Sequence, residues 1–76
     1  MVNVILPQLG EGIKEATVSY WYFKQGDSVN EKDDLVELTT DKATFNLPSP
    51  GSGKLSQILA QEGEKVNIGQ VLAVIV

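Results

Sequence analysis

The chain contains an internal repeat that constrains its fold more than any other feature. Residues 18–38 align without a gap on residues 55–75 at an offset of 37. Five aligned pairs are identical, namely Ser19 with Ser56, Gly26 with Gly63, Val29 with Val66, Asn30 with Asn67 and Leu35 with Leu72. Each copy reads as a strand, a glycine-centred turn, Val-Asn and a longer apolar strand. Because neither copy can bury an apolar face alone, we predict two similar half-domains packed face to face.

The apolar pattern along the chain is that of strands. Short runs rich in Val, Ile, Leu, Tyr and Trp are separated by Gly, Pro, Asp and Asn, and no helical stripe is sustained. The predicted strands cover residues 2–6, 17–22, 35–40, 43–47, 53–58 and 71–76, with short strands at 28–29 and 65–66. Trp21 lies in one of these strands and aligns with Ile58, so we place it in the core. The pattern predicts an all-β sandwich or flattened barrel.

Composition excludes most kinds of independent chemistry. The 76 residues suffice for one domain, and they include no cysteine and no histidine. Thiol catalysis, disulfides, Cys/His zinc sites and Ser-His triads are therefore excluded. Ten acidic residues outnumber six lysines, and the net charge of −4 argues against nucleic-acid binding. No apolar run approaches the roughly 20 residues of a membrane helix, so we expect neither a membrane segment nor a metal site.

One lysine stands at the centre of the repeat. The segment 39–44 separates the last strand of the first copy from the first strand of the second, and it has room only for a tight turn. Asp41 and Lys42 would be its central residues. Asp-Lys lacks the glycine of primed turns, so we predict a type I turn whose amides the Asp41 carboxylate caps. Most exposed lysines are simply solvated, but this position and the small Ala43 beside it favour a functional role for Lys42.

Four motifs in order resemble a known family. They are Leu-Pro-Gln-Leu-Gly-Glu-Gly-Ile at 6–13, Thr-Val-Ser-Tyr-Trp at 17–21, Gly-Asp-Ser-Val at 26–29 and Thr-Asp-Lys-Ala-Thr at 40–44. Gly53, eleven residues after Lys42, matches a family glycine. Over essentially its whole length the chain resembles the lipoyl domain of the acyltransferase component of a 2-oxo acid dehydrogenase complex. Two positions depart from the family pattern, since Thr39 stands where a Glu is frequent and Ala16 where a Gly is common.

This resemblance implies a fold and a cofactor. The fold would be a flattened barrel of two four-stranded antiparallel sheets with internal pseudo-two-fold symmetry. Lipoic acid would be amide-linked to the Lys42 side chain as N6-lipoyl-lysine. The loop 8–16 would lie beside the lysine hairpin. The residues expected to help recognition there are Thr40, Asp41, Ala43, Glu37 and Glu11.

The resemblance also implies a carrier role with no catalytic residue of its own. A swinging arm on Lys42 would move acyl groups and reducing equivalents between three enzyme sites. The expected partners are a thiamine-dependent decarboxylase, the acyltransferase core, a flavin-dependent dihydrolipoyl dehydrogenase, and a lipoate ligase or lipoyl transferase. The segment 10–13 favours a pyruvate-type or branched-chain-type complex over a 2-oxoglutarate-type complex, and we expect the pyruvate type. Residues 1–76 would be a single lipoyl domain, the N-terminal module of a larger acyltransferase. Met1 directly before the first strand favours a bacterial cytoplasm, with the mitochondrial matrix as the alternative in a eukaryote.

Alternative functions differ from this one at the lysine. A biotinyl carrier domain shares the duplicated fold, but its motif has Met on both sides of the lysine, where this chain has Asp41 and Ala43. A lipoylated carrier of the glycine cleavage system is a second alternative, although that family is longer. An unmodified interaction module is a third, and it would have no reason to present Asp-Lys-Ala at the tip of a hairpin.

Overall fold

The protein folds into eight strands. The structure, a computed structural model, describes residues 1–76. The strands are β1 Val2–Ile5, β2 Glu15–Trp21, β3 Ser28–Val29, β4 Asp34–Thr39, β5 Thr44–Pro48, β6 Gly53–Ile58, β7 Lys65–Asn67 and β8 Val71–Ile75. All eight predicted strands are present within two residues of the predicted ends. The largest difference is in β2, which starts at Glu15 because Glu15 and Ala16 pair with β7, a partner that local sequence cannot reveal. The structure contains no helix able to cross a membrane.

The strands form two four-stranded sheets related by pseudo-two-fold symmetry. Their orders are β1-β8-β6-β3 and β5-β4-β2-β7, and every neighbouring pair is antiparallel. The offset of 37 converts β2, β3 and β4 into β6, β7 and β8, while β5 occupies the place of β1. Each half gives its shortest strand to the sheet of the other, since β3 pairs with β6 and β7 pairs with β2. The predicted fold class and its symmetry are therefore confirmed.

Hydrogen bonds at the turns repeat with the same offset. One pair joins the halves through the backbone: Gly26 N donates to Leu55 O at 2.6 Å, and Gly63 N donates to Val18 O at 2.7 Å. A second pair lies within the glycine turns, where Lys24 N donates to Asp27 Oδ2 (2.8 Å) and Gln61 N to Glu64 Oε1 (3.2 Å). The third pair follows the Val-Asn segments, where Asn30 N donates to Asp33 Oδ2 and Asn67 N to Gln70 Oε1, both at 3.0 Å. In each turn a side-chain oxygen three residues on accepts from a backbone amide, which is the usual role of Asp, Glu and Gln side chains in such loops. The duplication predicted from five identities is thus present in the turns as well as in the strands.

One core lies between the sheets. Sixteen buried residues from both halves form a single cluster, and its largest members are Leu, Ile and Val. Trp21 belongs to this cluster, and its indole Nε1 donates a hydrogen bond to the Ala60 carbonyl at 2.8 Å. A buried indole needs such a partner, so Trp21 is a core residue as predicted. Because the buried apolar faces of both halves meet here, neither half can be removed without exposing the other.

The two halves differ at one backbone position that can be tested. Lys32 is the only residue other than glycine with positive φ (76°), and its counterpart is Gly69 (89°). A residue with a side chain destabilises the folded state by roughly 1–2 kcal/mol in this left-handed region. Glycine avoids that steric cost, but it loses more backbone entropy on folding, which offsets part of the gain. We expect Lys32→Gly to raise the free energy of unfolding by about 0.5 kcal/mol and Gly69→Lys to lower it by about 1 kcal/mol, measured by urea denaturation. Changes of the same sign in the two variants would contradict this account.

Candidate functional site

Lys42 lies at the tip of the β4–β5 hairpin. Thr39 and Thr44 form the last strand pair, and residues 40–43 make the connection. Asp41 and Lys42 are central and exposed, and neither has a positive φ, which excludes the primed turn that needs two such residues. The two strands therefore place Lys42 at the far end of the hairpin, with its side chain in solvent, as the sequence predicted.

The turn is closed by Thr40 rather than by Asp41. The Thr40 Oγ1 accepts hydrogen bonds from the amides of Lys42 (3.2 Å) and Ala43 (3.1 Å), and it donates to the Ala43 carbonyl (3.0 Å). The Thr40 amide donates to the same carbonyl at 2.8 Å. The predicted cap by the Asp41 carboxylate is wrong, because that carboxylate accepts no hydrogen bond. The Ala43 amide donates to the Thr40 hydroxyl and not to the Thr40 carbonyl, so the predicted type I turn would be one without its usual backbone bond. A hydroxyl can donate and accept at once, whereas a carboxylate only accepts, so Thr40 satisfies both sides of the turn.

Thr40→Val is expected to loosen this turn without changing its shape. Valine keeps the β-branched form of threonine but loses every contact of the hydroxyl. Because the released backbone groups can bind water, the free energy of unfolding should fall by only about 1 kcal/mol. The amide of Ala43 should exchange its hydrogen about fivefold faster. Urea denaturation and amide hydrogen exchange measure the two effects. Thr40→Ser keeps the hydroxyl and is the matched control; exchange as slow in the valine variant as in the serine variant would contradict the assignment.

The amine of Lys42 has no partner within the protein. The one ion pair in the structure joins Lys65 Nζ to Glu15 Oε1 at 3.5 Å, and Lys42 Nζ takes part in no hydrogen bond. On the loop, a Cβ added to Gly12 would lie 3.8 Å from the amine, which is an ordinary contact. The loop therefore passes close to the lysine at Gly12. The amine is accessible to a large reagent or enzyme.

A shallow groove lies next to this amine, and we call it the hairpin groove. It is lined by residues of the loop and of the hairpin, namely Gly12, Ile13, Lys14, Glu15, Ala16, Thr17, Thr39, Thr40, Asp41, Lys42 and Lys65. The pairing of β2 with β4 brings them together, because the chain entering β2 runs beside the end of β4. The predicted position of the loop beside the hairpin is confirmed.

The residues predicted to help recognition are only partly brought together. Thr40, Asp41 and Ala43 flank Lys42 directly, and Asp41 and Ala43 are exposed. Glu11 is exposed in the loop but does not line the hairpin groove. Glu37 is half-buried in β4, opposite Tyr20 and Asn46, two residues before the strand pair that ends the hairpin strands, and it does not line the hairpin groove. Sequence reasoning included Gly12 only as part of the loop 8–16, and its closeness to the Lys42 amine is seen only in the structure.

Comparisons with known proteins give a consistent result. A family model described as "Biotin-requiring enzyme", the biotin–lipoyl family, matches residues 2–75. The chain is 46% identical over 73 residues to the succinyltransferase component of a 2-oxoglutarate dehydrogenase complex from Bartonella vinsonii, covering 96% of this chain and 18% of that protein. It is also 46% identical over 67 residues to the acetyltransferase component of a pyruvate dehydrogenase complex from Acholeplasma laidlawii, covering 88% and 12%. The chain therefore spans less than a fifth of the length of these relatives.

Solved structures resemble the whole chain. The lipoyl domain of the 2-oxoglutarate dehydrogenase complex from Azotobacter vinelandii superposes with a TM-score of 0.80 at 26% identity, covering all of this chain and 96% of that one. Urea carboxylase from Kluyveromyces lactis contains a similar region, with a TM-score of 0.66 at 25% identity over all of this chain and 8% of the enzyme. Both comparisons cover the lysine hairpin and the loop beside it.

Proposed function

The chain belongs to the biotin–lipoyl family, as a lipoyl domain like those of 2-oxo acid dehydrogenase acyltransferases, and we propose from this premise that Lys42 carries covalently attached lipoic acid. The observation that carries the proposal is the free amine of Lys42 at the tip of the hairpin. Amide attachment requires an amine that a modifying enzyme can reach and that no internal ion pair holds. Both conditions are met here.

The chain's own residues position the arm and do no chemistry themselves. Thr40 closes the turn, the two strands hold it away from the core, and the loop at Gly12 lies beside the amine without forming a hydrogen bond to it. When bound, lipoic acid supplies a dithiolane that can accept an acyl group together with two electrons and later pass each on. Because the chain has no cysteine, no thiol of its own competes with that group.

As a carrier, the domain would connect active sites on other protein components. The proposed partners are a thiamine-dependent decarboxylase, an acyltransferase core, a flavin-dependent dihydrolipoyl dehydrogenase, and a ligase or transferase that attaches the lipoyl group. A tethered carrier raises the effective concentration of its arm at each site, so tight binding to each enzyme is not required. The domain itself is not proposed to catalyse any step.

The identity of the acyl group on the arm depends on the type of 2-oxo acid dehydrogenase complex. The segment 10–13 favours a pyruvate-type complex, and the acetyltransferase of Acholeplasma laidlawii supports that type. The succinyltransferase of Bartonella vinsonii reaches the same 46% identity, and most of the similar proteins, including the lipoyl domain from Azotobacter vinelandii, belong to 2-oxoglutarate dehydrogenase complexes and support that type. Specificity for the 2-oxo acid is therefore to be decided by assay with the two decarboxylases.

A biotinyl carrier is the second candidate, because the chain also superposes on a region of a urea carboxylase. The residues flanking the lysine favour lipoate, since Asp41 and Ala43 occupy the two places of the methionines in the biotin motif. The two functions predict different masses. Expression with lipoate ligase and lipoate should add one lipoyl group, whereas expression with biotin ligase and biotin should leave the intact mass unchanged.

The lipoylated chain is then offered to a pyruvate-specific and to a 2-oxoglutarate-specific decarboxylase. One of the two is expected to acylate it in the presence of its 2-oxo acid, and mass spectrometry measures the acylated fraction. Biotin incorporation, or no modification of a folded chain, would contradict the proposed function. Lipoylation without acylation by either enzyme would contradict the role in such a complex.

A further inference from the structure

Two exposed tyrosines lie on the outer face of the sheet that carries Lys42. Tyr20 is 51% and Tyr22 41% exposed, and their rings meet edge to face with centroids 5.1 Å apart. Tyr22 donates a hydrogen bond from its hydroxyl to Asn46 Oδ1 at 3.0 Å, on the far strand of the hairpin. Glu37 lies between Tyr20 and Asn46 in the same row of strand pairs. We call Tyr20, Tyr22, Glu37 and Asn46 the tyrosine face.

The pseudo-symmetry shows that the fold does not require these tyrosines. In the second half, Gln57 and Leu59 occupy the positions of Tyr20 and Tyr22, and Val74 occupies that of Glu37. The strand pairing and the turn bonds are nevertheless equivalent in the two halves. The same scaffold therefore forms with or without the aromatic pair. All five aromatic residues of the chain lie between residues 20 and 45, and none lies in the second copy at 55–75.

The charge around the tyrosine face indicates what would bind there. The sheet of this face carries three acidic side chains, Glu15, Asp34 and Glu37, and one basic side chain on β7. That lysine, Lys65, pairs with Glu15 at 3.5 Å, so Asp34 and Glu37 remain as acidic groups without an ion pair. The hollow on the other side of Tyr20 has one lysine, Lys24, and it is balanced there by Glu62. Tyrosine is enriched at the centres of protein interfaces, and its ring accepts a guanidinium or ammonium group over its face. The complementary surface has an apolar centre with Lys and Arg around it.

The tyrosine face is continuous with the hairpin that presents Lys42. The β4–β5 hairpin contributes Glu37 and Asn46 to the face and the lysine at its tip. A protein that covers the face would therefore hold the tip of the hairpin in a defined direction. This suits an enzyme that must receive the arm in its active site.

We propose that the tyrosine face is a docking surface for a basic face at the entrance of the 2-oxo acid decarboxylase. This rests on the proposed function of the chain. Among the proposed partners, the decarboxylase is a separate enzyme that must also attract an anionic 2-oxo acid, so positive charge at its entrance is expected. The acyltransferase core of such relatives belongs to the same chain as the carrier, so tethering there lessens the need for docking.

The test compares the two pseudo-symmetric faces in lipoylated chains. Tyr20→Ser with Tyr22→Ser removes the aromatic pair, and Gln57→Ser with Leu59→Ser changes the equivalent positions of the other sheet. Reductive acylation is measured with the pyruvate-specific and the 2-oxoglutarate-specific decarboxylase. With the enzyme that accepts the wild type, kcat/KM should fall about tenfold for the tyrosine variant. The change should lie chiefly in KM, because a docking contact stabilises the bound ground state and the transition state equally. The matched variant should stay within about twofold, and added salt should slow the wild type.

The outcomes separate this proposal from the function on which it rests. Intact mass first establishes that both variants are lipoylated as fully as the wild type, and urea denaturation establishes that both are folded. A lipoylated tyrosine variant that is acylated as fast as the matched variant would overturn the docking surface and leave the carrier function standing. A wild-type dimer in sedimentation that the tyrosine variant loses would assign the face to a second copy of the chain and also overturn it. No lipoylation, or no acylation of the wild type, would overturn both proposals.

Discussion

Lys42→Arg is expected to abolish lipoylation completely while leaving the fold unchanged. Arginine keeps the positive charge and the length of the side chain, but its guanidinium cannot form the same amide under the ligase. Lys42 Nζ has no hydrogen bond or ion pair to lose, so the free energy of unfolding should change by less than about 0.5 kcal/mol. Intact mass after expression with lipoate ligase and lipoate measures the first effect, and urea denaturation the second.

The matched control for this variant is Lys14→Arg. Lys14 is also exposed and lines the hairpin groove, so a ligase that recognised any lysine there would modify it. We expect Lys14→Arg to be lipoylated like the wild type. Attachment also removes one positive charge from a chain of net charge −4, so the modified wild type should focus at a lower pH than Lys42→Arg. A lipoyl mass gain in Lys42→Arg would show that the hairpin lysine is not the attachment site.

Gly53→Ala is expected to destabilise the fold more than any other single methyl addition to a glycine of the chain. Gly53 starts β6 with a φ of 154°, and an added Cβ would collide with the carbonyl oxygen of Val76 and lie 2.9 Å from Ile75 Cγ2. The colliding oxygen accepts a hydrogen bond from the Lys54 amide at 2.9 Å, so it cannot move freely. Overpacking and backbone strain together should lower the free energy of unfolding by about 3 kcal/mol. Thermal denaturation should show a Tm lower by roughly 10 °C or more.

Gly51→Ala tests whether the methyl group itself is responsible. Gly51 has no positive φ, and a Cβ there would meet Val2 Cγ2 at 3.5 Å, an ordinary contact. We expect its free energy of unfolding to change by less than about 0.5 kcal/mol. Equal stability of the two alanine variants would contradict the steric account of Gly53. Any Gly53→Ala protein that remains folded should still be lipoylated, because Gly53 lines no part of the hairpin groove.

The turn at Lys42 shows how far sequence reasoning reaches. Strand patterns on both sides placed Lys42 at the tip of a hairpin, since period-two alternation and turn residues are local signals. The choice between Thr40 and Asp41 as the residue that closes the turn was predicted wrongly. Both side chains suit turns, and the difference depends on where the Ala43 carbonyl and amide point once the strands have paired. That direction is a property of the folded hairpin.

Gly53 and its counterpart Ala16 illustrate the same limit. They are equivalent in the repeat, and Ala16 is buried without difficulty while Gly53 admits no side chain. The reason is the carbonyl of Val76, which follows β8 and lies 23 residues after Gly53 in the chain. A repeat in the sequence predicts equivalent backbone paths but not the distance between neighbouring strands at each point. The positions of Tyr20 and Tyr22 show the same limit, because only the folded sheet shows that both rings lie outside the core.

The sequence by itself determined the duplicated all-β fold, the core position of Trp21 and the isolation of Lys42 at the centre of the repeat. These follow from periodicity, turn residues and identities at one offset, which are all signals carried along the chain. Only the tertiary structure decided that Thr40 closes the turn, that the loop at Gly12 lies beside the amine and that the tyrosines share a face with the hairpin. The last two depend on contacts between segments distant in sequence, which strand pairing creates. The first depends on how the paired strands orient the backbone of a local turn.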